Sequence, residues 1–299
     1  MVRRRSGVKR VGHAGTLDPM AGGVLLVCLG QASRVSEYLM GLPKGYRATV
    51  RLGAATTTYD AEGEVVREGD YGGVSRADLE EALSGFVGEI MQAPPAYSAV
   101  KMEGERAYKR ARRGEEVAPA PRKTMVYAIN LLRFAQTGAR PGAQAGPRPG
   151  EPPEVEIEVE CGKGTYIRSL AHDLGERLGC GAHLSALTRT RVGPFSVDDA
   201  VGMEELEAAF DRGDWQEHLL PMDYALLEMP AITLHIEDEK DIRHGQSVTV
   251  DEDRIEALPA IEDAMLCRAY AEDGSLVAII RYDGGTRMWR ARKVFAVGG

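Results

Sequence analysis

Apolar positions along the 299-residue chain change their spacing several times, and each change marks an element. Val155, Ile157, Val159 and Cys161 alternate with Glu154, Glu156, Glu158 and Glu160. That two-residue period is a strand with one buried face and one wet face. Extended character recurs over 24–29, 45–52, 89–92, 98–102 and 124–134. Elsewhere the spacing is helical: Ile167, Leu170, Ala171, Leu174 and Leu178 form one amphipathic stripe. Ser75-x-x-Asp78 opens a helical stretch over 79–86 in the manner of a capping box. Further helices are expected over 31–39, 105–113 and 203–210. Strands interrupted by helices in this order predict an α+β fold on a mixed or antiparallel sheet.

Composition breaks the chain twice. Residues 134–154 are poor in apolar side chains and rich in Gly, Pro and Ala, so a flexible loop joining two strands is expected there. A second boundary falls near 222–230. Beyond it, strand signals at 231–235, 247–250, 276–282 and 289–296 predict a small β-rich module. The expected domains are therefore 1–222 and 230–299.

Charge adjusts this picture. The net charge is −8, but it is +5 over 1–133, −2 over 134–199 and −11 over 200–299. An acidic total does not exclude a nucleic-acid partner, because affinity follows local positive surface. The longest aliphatic run, 24–29, is far too short to span a bilayer, and the basic start lacks the apolar stretch of a secretory signal. Cys28, Cys161, Cys180 and Cys267 are scattered with no C-x-x-C pair, which suits reduced thiols in a cytoplasm and argues against a zinc site.

Three stretches carry candidate chemistry. In Gly12-His13-Ala14-Gly15-Thr16-Leu17-Asp18-Pro19, the proline biases Asp18 towards extended backbone and the glycines permit close approach. Taken alone, an Asp-Pro in such a segment is ordinarily a turn, and a lone His13 is ordinarily structural. Gly162-Lys163-Gly164-Thr165-Tyr166-Ile167-Arg168 invites a phosphate-loop reading, but Ile157 and Gly164 stand where that motif needs Gly and Ser or Thr. Tyr166 and Arg168 then open a helix, where they can project into a cleft. Arg106, Arg110 and Arg113, flanked by Lys109 and Arg112, would share one face of the 105–113 helix, with Gly114 placed to stop it. A solvated face is the plain reading and RNA backbone contact the sharper one.

These stretches, in this order, resemble the TruB family of tRNA pseudouridine synthases. The resemblance also includes Lys44-Gly45-Tyr46, the run TTTYDAEG over 56–63, PPAYSAVKMEGERAYKRARRG over 94–114 and GCGAHLSALTRTRVGPF over 179–195. It implies that Asp18 is the nucleophile that attacks a uridine, so that the uracil detaches, rotates and rejoins through carbon. Tyr46 is then the tyrosine that stacks on the base and helps deprotonate C5, and Arg168 the basic partner of the aspartate. Tyr166 and Leu187 wall the pocket, and His13 holds the extruded bases. The 94–114 region, with Lys101, Arg106, Arg110 and Arg113, clamps the RNA. A nucleophilic carboxylate must be ionised; burial works against the charge and a neighbouring arginine sustains it. The target base must be flipped out of its stack, and stacking on Tyr46 recovers roughly 1–3 kcal/mol.

The implied reaction is an isomerisation of uridine 55 in the T arm that needs no cofactor and no metal. The partner is tRNA, through its T stem-loop and, by a PUA-like module at 230–299 whose Arg287–Lys293 cluster is basic, its acceptor end. The enzyme is expected to be a cytoplasmic monomer that also assists tRNA folding. Two other readings compete: an RNA chaperone without chemistry, and the guide-RNA-dependent relative of archaea and eukaryotes, for which a basic C-terminal region is expected. Family members open with a strand and a Lys-Pro-x-Gly-x-Thr-Ser segment, absent from the 11 residues before Gly12; either the true start lies upstream, or the protein manages without a strand that helps frame Asp18.

Overall fold

The structure, a computed structural model, describes residues 1–102, 104–134, 152–250, 255–256 and 261–296. By internal contacts the chain gathers into two compact units. One comprises Thr16–Val24 and Gly41–Ala200, the other Met1–Gly15, Leu25–Met40 and Val201–Gly299.

A seven-stranded sheet organises the first unit. Its strands run in the order Phe195–Ser196, Ala182–Val192, Lys44–Leu52, Glu154–Cys161, Arg122–Phe134 and Gly88–Gln92, each antiparallel to its neighbour. The two residues Gly22–Gly23 add a parallel pairing to Thr188 and Arg189. The alternation in 154–161 sorts as expected, with Val155, Ile157, Val159 and Cys161 all buried. They form one core with Ala48, Val50 and Leu52 and with the helices Arg76–Ser84 and Ile167–Leu178. The first helix carries the capping box: Ser75 Oγ accepts from the Asp78 amide while the Asp78 carboxylate takes the Ser75 amide. The second sits so close to the sheet that a Cβ on Gly175 would lie 2.0 Å from the Ala182 nitrogen, so only glycine fits there.

The second unit is β-rich at its C-terminal end. Strands Ile255–Glu256, Ala231–Thr233, Leu266–Tyr270, Leu276–Asp283 and Met288–Val294 form one sheet around Ile232, Ile242, Cys267, Val277, Ile280 and Trp289. Helices Ile236–Arg243 and Met203–Arg212 belong to the same unit, as does an antiparallel pair, Val11–Ala14 with Leu26–Leu29.

Several expected elements differ. The helix over 31–39 is a 3-10 turn, Gly30–Arg34, followed by the helix Ser36–Gly41. The 24–29 strand begins only at Leu26, and 98–102 contributes only Lys101–Met102. Residues 247–250 make a single bridge, Val248 to Trp289, instead of a strand. The strand Leu266–Tyr270 and the helix Ile236–Arg243 were not expected. The loop expected over 134–154 lies, from 135 to 151, outside the described residues; the strands it joins pair with each other, Phe134 opposite Val155.

Candidate active site

Asp18 sits in a loop that its own glycines clip to the sheet. Pairing of Gly22 and Gly23 beside Thr188 and Arg189 brings the loop against the strand Ala182–Val192. At Gly23, with φ 98°, a Cβ would lie 2.2 Å from the Arg189 carbonyl oxygen, so this approach requires glycine. The Val24 amide donates to that same carbonyl at 2.9 Å, and Arg189 Nε returns a bond to the Val24 carbonyl at 2.7 Å. A turn bond from the Ala21 amide to the Asp18 carbonyl closes the loop. Asp18 is thus in a turn, as its local sequence indicates, but a turn held rigidly on a buried arginine.

Its carboxylate meets Arg168 from the first turn of the helix Ile167–Leu178. Arg168 Nε donates to Asp18 Oδ2 at 2.9 Å and Nη2 to Oδ1 at 2.8 Å, a two-pronged pair across 150 residues of sequence. Side-chain exposure is 5% for Arg168 and 30% for Asp18, so the carboxylate keeps an open side while its partner has none. The remaining donors of Arg168 are spoken for. Nη1 gives to the Thr58 carbonyl at 3.2 Å and faces Asp60 Oδ2 at 3.5 Å, and Nη2 also reaches the Tyr97 carbonyl at 3.1 Å.

The start of that helix is itself pinned. Gln92, buried, donates to the Tyr166 carbonyl at 3.0 Å and accepts from the Tyr166 amide at 2.8 Å. Ser169 Oγ donates to the Ala93 carbonyl at 2.7 Å. Thr165 lies against Thr124, and the Gly162 amide donates to the Met125 carbonyl. The GKGTYIR stretch is therefore a strap that delivers Tyr166 and Arg168, not a phosphate loop.

Tyr46 stands in the middle of the sheet, directly across from Val159 on one side and Arg189 on the other. Burial pushes its phenol up; the negative charge of Asp18 acts in the same direction, and a hydrogen bond with Arg189 opposes it. The phenol is accordingly neutral at pH 7. Leu187, opposite Ala48, is buried in the same core. Burial also pushes the Tyr166 phenol up.

The basic segment departs from expectation. Its helix covers only Ala107–Arg112, and Arg106 is its extended N-cap with ψ 134°, so Arg106, Arg110 and Arg113 do not share a helical face. Arg106 instead pairs across a two-residue ladder with Lys101, setting two exposed cations side by side. Arg110 is held by Glu115, and Arg113 by both Glu105 and Glu115. His13 lies exposed on the strand Val11–Ala14, opposite Val27, in the other compact unit.

Comparison with known proteins bears on what this arrangement is. Residues 3–167 match the TruB family pseudouridylate synthase N-terminal domain. Residues 168–227 match the tRNA pseudouridylate synthase B C-terminal domain. The chain belongs to the TruB family. Among its relatives is the tRNA pseudouridine synthase B of Symbiobacterium thermophilum, 46% identical over 249 residues, 83% of this chain and 77% of that one. The protein of the same name from Dehalococcoides mccartyi is 40% identical over 295 residues, 98% of this chain and 90% of that one. Of solved structures, a Cbf5–Nop10–Gar1 complex superposes with a TM-score of 0.69 at 26% identity, over 99% of this chain and 78% of that one. An H/ACA ribonucleoprotein bound to a substrate RNA containing 2′-deoxyuridine gives 0.68 at 24% identity, over 99% and 79%.

The sequence singles out Asp18, Tyr46 and Arg168 but not the residues that hold them. Asp60, its side chain 5% exposed, sits inside the TTTYDAEG run, where a carboxylate among threonines reads as a turn residue. Arg189 and Gln92 carry no local signal. Arg189 sits in an alternating strand, and only its burial, among the deepest in the unit, marks it.

Proposed function

We propose that this chain isomerises uridine 55 in the T arm of tRNA to pseudouridine, with Asp18 as nucleophile and without a guide RNA. The observation that carries the reading is the Asp18–Arg168 pair. Arg168 donates to both carboxylate oxygens, yet each oxygen has a second lone pair and the carboxylate keeps its open side. That is what an attacking carboxylate needs.

Attack takes place on the ribose at C1′ or on the base at C6. On either route the N1–C1′ bond breaks, the uracil turns in the pocket, and C5 bonds to C1′. The C5 proton then leaves, N1 ends protonated, and the carboxylate is released unchanged. Product and substrate have the same composition, so the residues need only hold, flip and relay a proton. Tyr46, neutral and buried beside Asp18, suits stacking on the flipped base better than acting as an ionised base. Tyr166 and Leu187 wall the pocket and His13 holds extruded bases. Lys101 and Arg106 face the RNA backbone: like charges set opposite one another across a ladder are destabilising until an anion lies between them. Arg110 and Arg113, already paired to glutamates, contribute by exchanging those partners for phosphates. Acting as a monomer in the cytoplasm, the protein also loosens and refolds the T arm as it extrudes the base, and its 230–299 module reaches the acceptor end.

The test is guide-free. Purified protein is incubated with unmodified tRNA transcripts and pseudouridine is mapped along them. Modification at position 55 alone, with no added RNA, is the expected result. Binding without pseudouridine would support the chaperone reading, and activity only with a guide RNA would support the guide-dependent one.

A further inference from the structure

The turn that braces Arg168 is held from behind by an aromatic stack. Thr58 and Asp60 supply the carbonyl and the carboxylate on the far side of the guanidinium from Asp18, and Tyr59 lies between them. Tyr59 adopts φ 63°, a left-handed conformation that a bulky residue takes only when its surroundings impose it. This backbone reversal turns both neighbours towards Arg168 and sends the Tyr59 ring onto His172. The two rings are 3.9 Å apart with planes 11° from parallel. His172 lies four residues beyond Arg168, on the same face of the helix Ile167–Leu178. Its Nδ1 is buried with no hydrogen-bond partner, so stacking, not hydrogen bonding, fixes the imidazole. Glu176, one turn further, is ion-paired to Arg67 of the strand Val65–Glu68, and together with Asp173 these are the charged groups that face the stack.

We propose that Tyr59 is a positioning residue for the reaction, acting through its stack on His172 to hold Thr58 and Asp60 against Arg168 and so keep the guanidinium locked on Asp18. Glycine would adopt the same backbone with less strain. A tyrosine here therefore makes sense through its ring. The main-chain bonds around it give the stack something rigid to act on. The Leu184 amide donates to the Tyr59 carbonyl at 3.0 Å, the Ala61 amide returns to the Leu184 carbonyl at 2.9 Å, and Thr56 Oγ1 donates to the Asp60 carbonyl at 2.7 Å. With the turn anchored to the sheet on one side, the rings set its distance from the helix on the other. Losing them frees the turn to draw back from Arg168 without unfolding it.

The inference rests on the proposed pseudouridylation, and the experiment separates the two. Single-turnover rates and tRNA affinities are measured for the parent chain, Tyr59→Gly, Tyr59→Phe, His172→Ala and His172→Phe. Tyr59→Gly and His172→Ala are expected to lower the rate about 10- to 100-fold, the cost of small misplacements at a reacting centre, while tRNA affinity stays within about twofold of the parent. Tyr59→Phe and His172→Phe, which keep two stacked rings, recover most of the rate, and the double variant Tyr59→Gly/His172→Ala is no slower than the worse single one. A merely structural role would lower thermal stability and leave the rate of the folded enzyme in place; that result, or a loss confined to affinity, overturns the inference. A parent chain that makes no pseudouridine refutes the function instead. The inference is then read from the Arg168 Nε–H resonance in nitrogen-15 spectra. Slow solvent exchange in the parent and Tyr59→Phe with fast exchange in Tyr59→Gly supports it, and equal exchange in all three overturns it.

Discussion

Arg168 and Arg113 each bridge two carboxylates, and the two clusters differ mainly in water. Arg168, 5% exposed, lies between Asp18 and Asp60, whereas Arg113, 50% exposed, lies between Glu105 and Glu115. In the exposed cluster Arg113 holds Glu105, and Arg110 with Arg113 holds Glu115, below the usual carboxylate range, yet solvent and salt screen the attraction and the ions can exchange partners freely. In the buried cluster, removing the guanidinium leaves two carboxylates, one of them only 5% exposed, without their counter-charge. The same residue types therefore make a fixed, buried cluster in one place and an exposed, exchangeable one in the other.

Removing the guanidinium from the buried cluster gives the largest effect expected. Arg168→Ala should cost about 3–5 kcal/mol of stability in denaturant unfolding, because Asp18 and Asp60 are left as facing like charges. Arg168→Lys should not restore activity, since a point charge cannot engage both oxygens of Asp18 together with two carbonyls. A stability change under about 1 kcal/mol for Arg168→Ala would erase the contrast between the clusters. On the exposed side, Lys101→Gln and Arg106→Gln should each weaken tRNA binding and lower the slope of log affinity against log salt by about 0.7–0.9 if they neutralise a phosphate. Titrations between low and moderate salt measure it.

Asp173 sharpens the role of burial. It lies on the same helix as Arg168 but beside Glu176, and burial first, then that charge, pushes it from 3.8 up to about 6. The folded state thus takes its proton more readily than the unfolded chain, so stability should fall as pH rises from about 4 to about 6 and stay lower above that. Asp173→Asn should remove this slope and stabilise the protein at pH 7 by about 1 kcal/mol, discounted for the side chain's partial exposure. Unfolding measured from pH 4 to pH 8 shows it. The smallest effect belongs to Arg113→Gln, whose unfolding midpoint should barely differ from the parent's in low salt and coincide with it as salt rises.

The sequence carried the sheet and the Asp18–Arg168 pair further than their supports. Alternation at 154–161 and the stripe at 167–178 were legible because burial repeats at a fixed period there. Asp18 and Arg168 stood out through multi-residue motifs, although the physics of each motif alone reads as a turn and a helix start. Asp60, Arg189 and Gln92 were invisible because their significance lies in partners 74 to 165 residues away. The basic helix was overextended because Arg106 sits in a two-residue ladder whose existence no periodicity announces. Leu266–Tyr270 was missed because its inward positions, Cys267 and Ala269, are small and make a faint strand signal.

The proposed division gives Asp18 the chemistry and other groups the hold on the RNA. Its most direct test is Asp18→Asn, compared with the parent chain for single-turnover pseudouridine formation and for tRNA binding. The substitution should leave binding within a few-fold and lower the rate by at least about 10³-fold, as for other enzymes that lose their nucleophile. Turnover within about tenfold of the parent would contradict it.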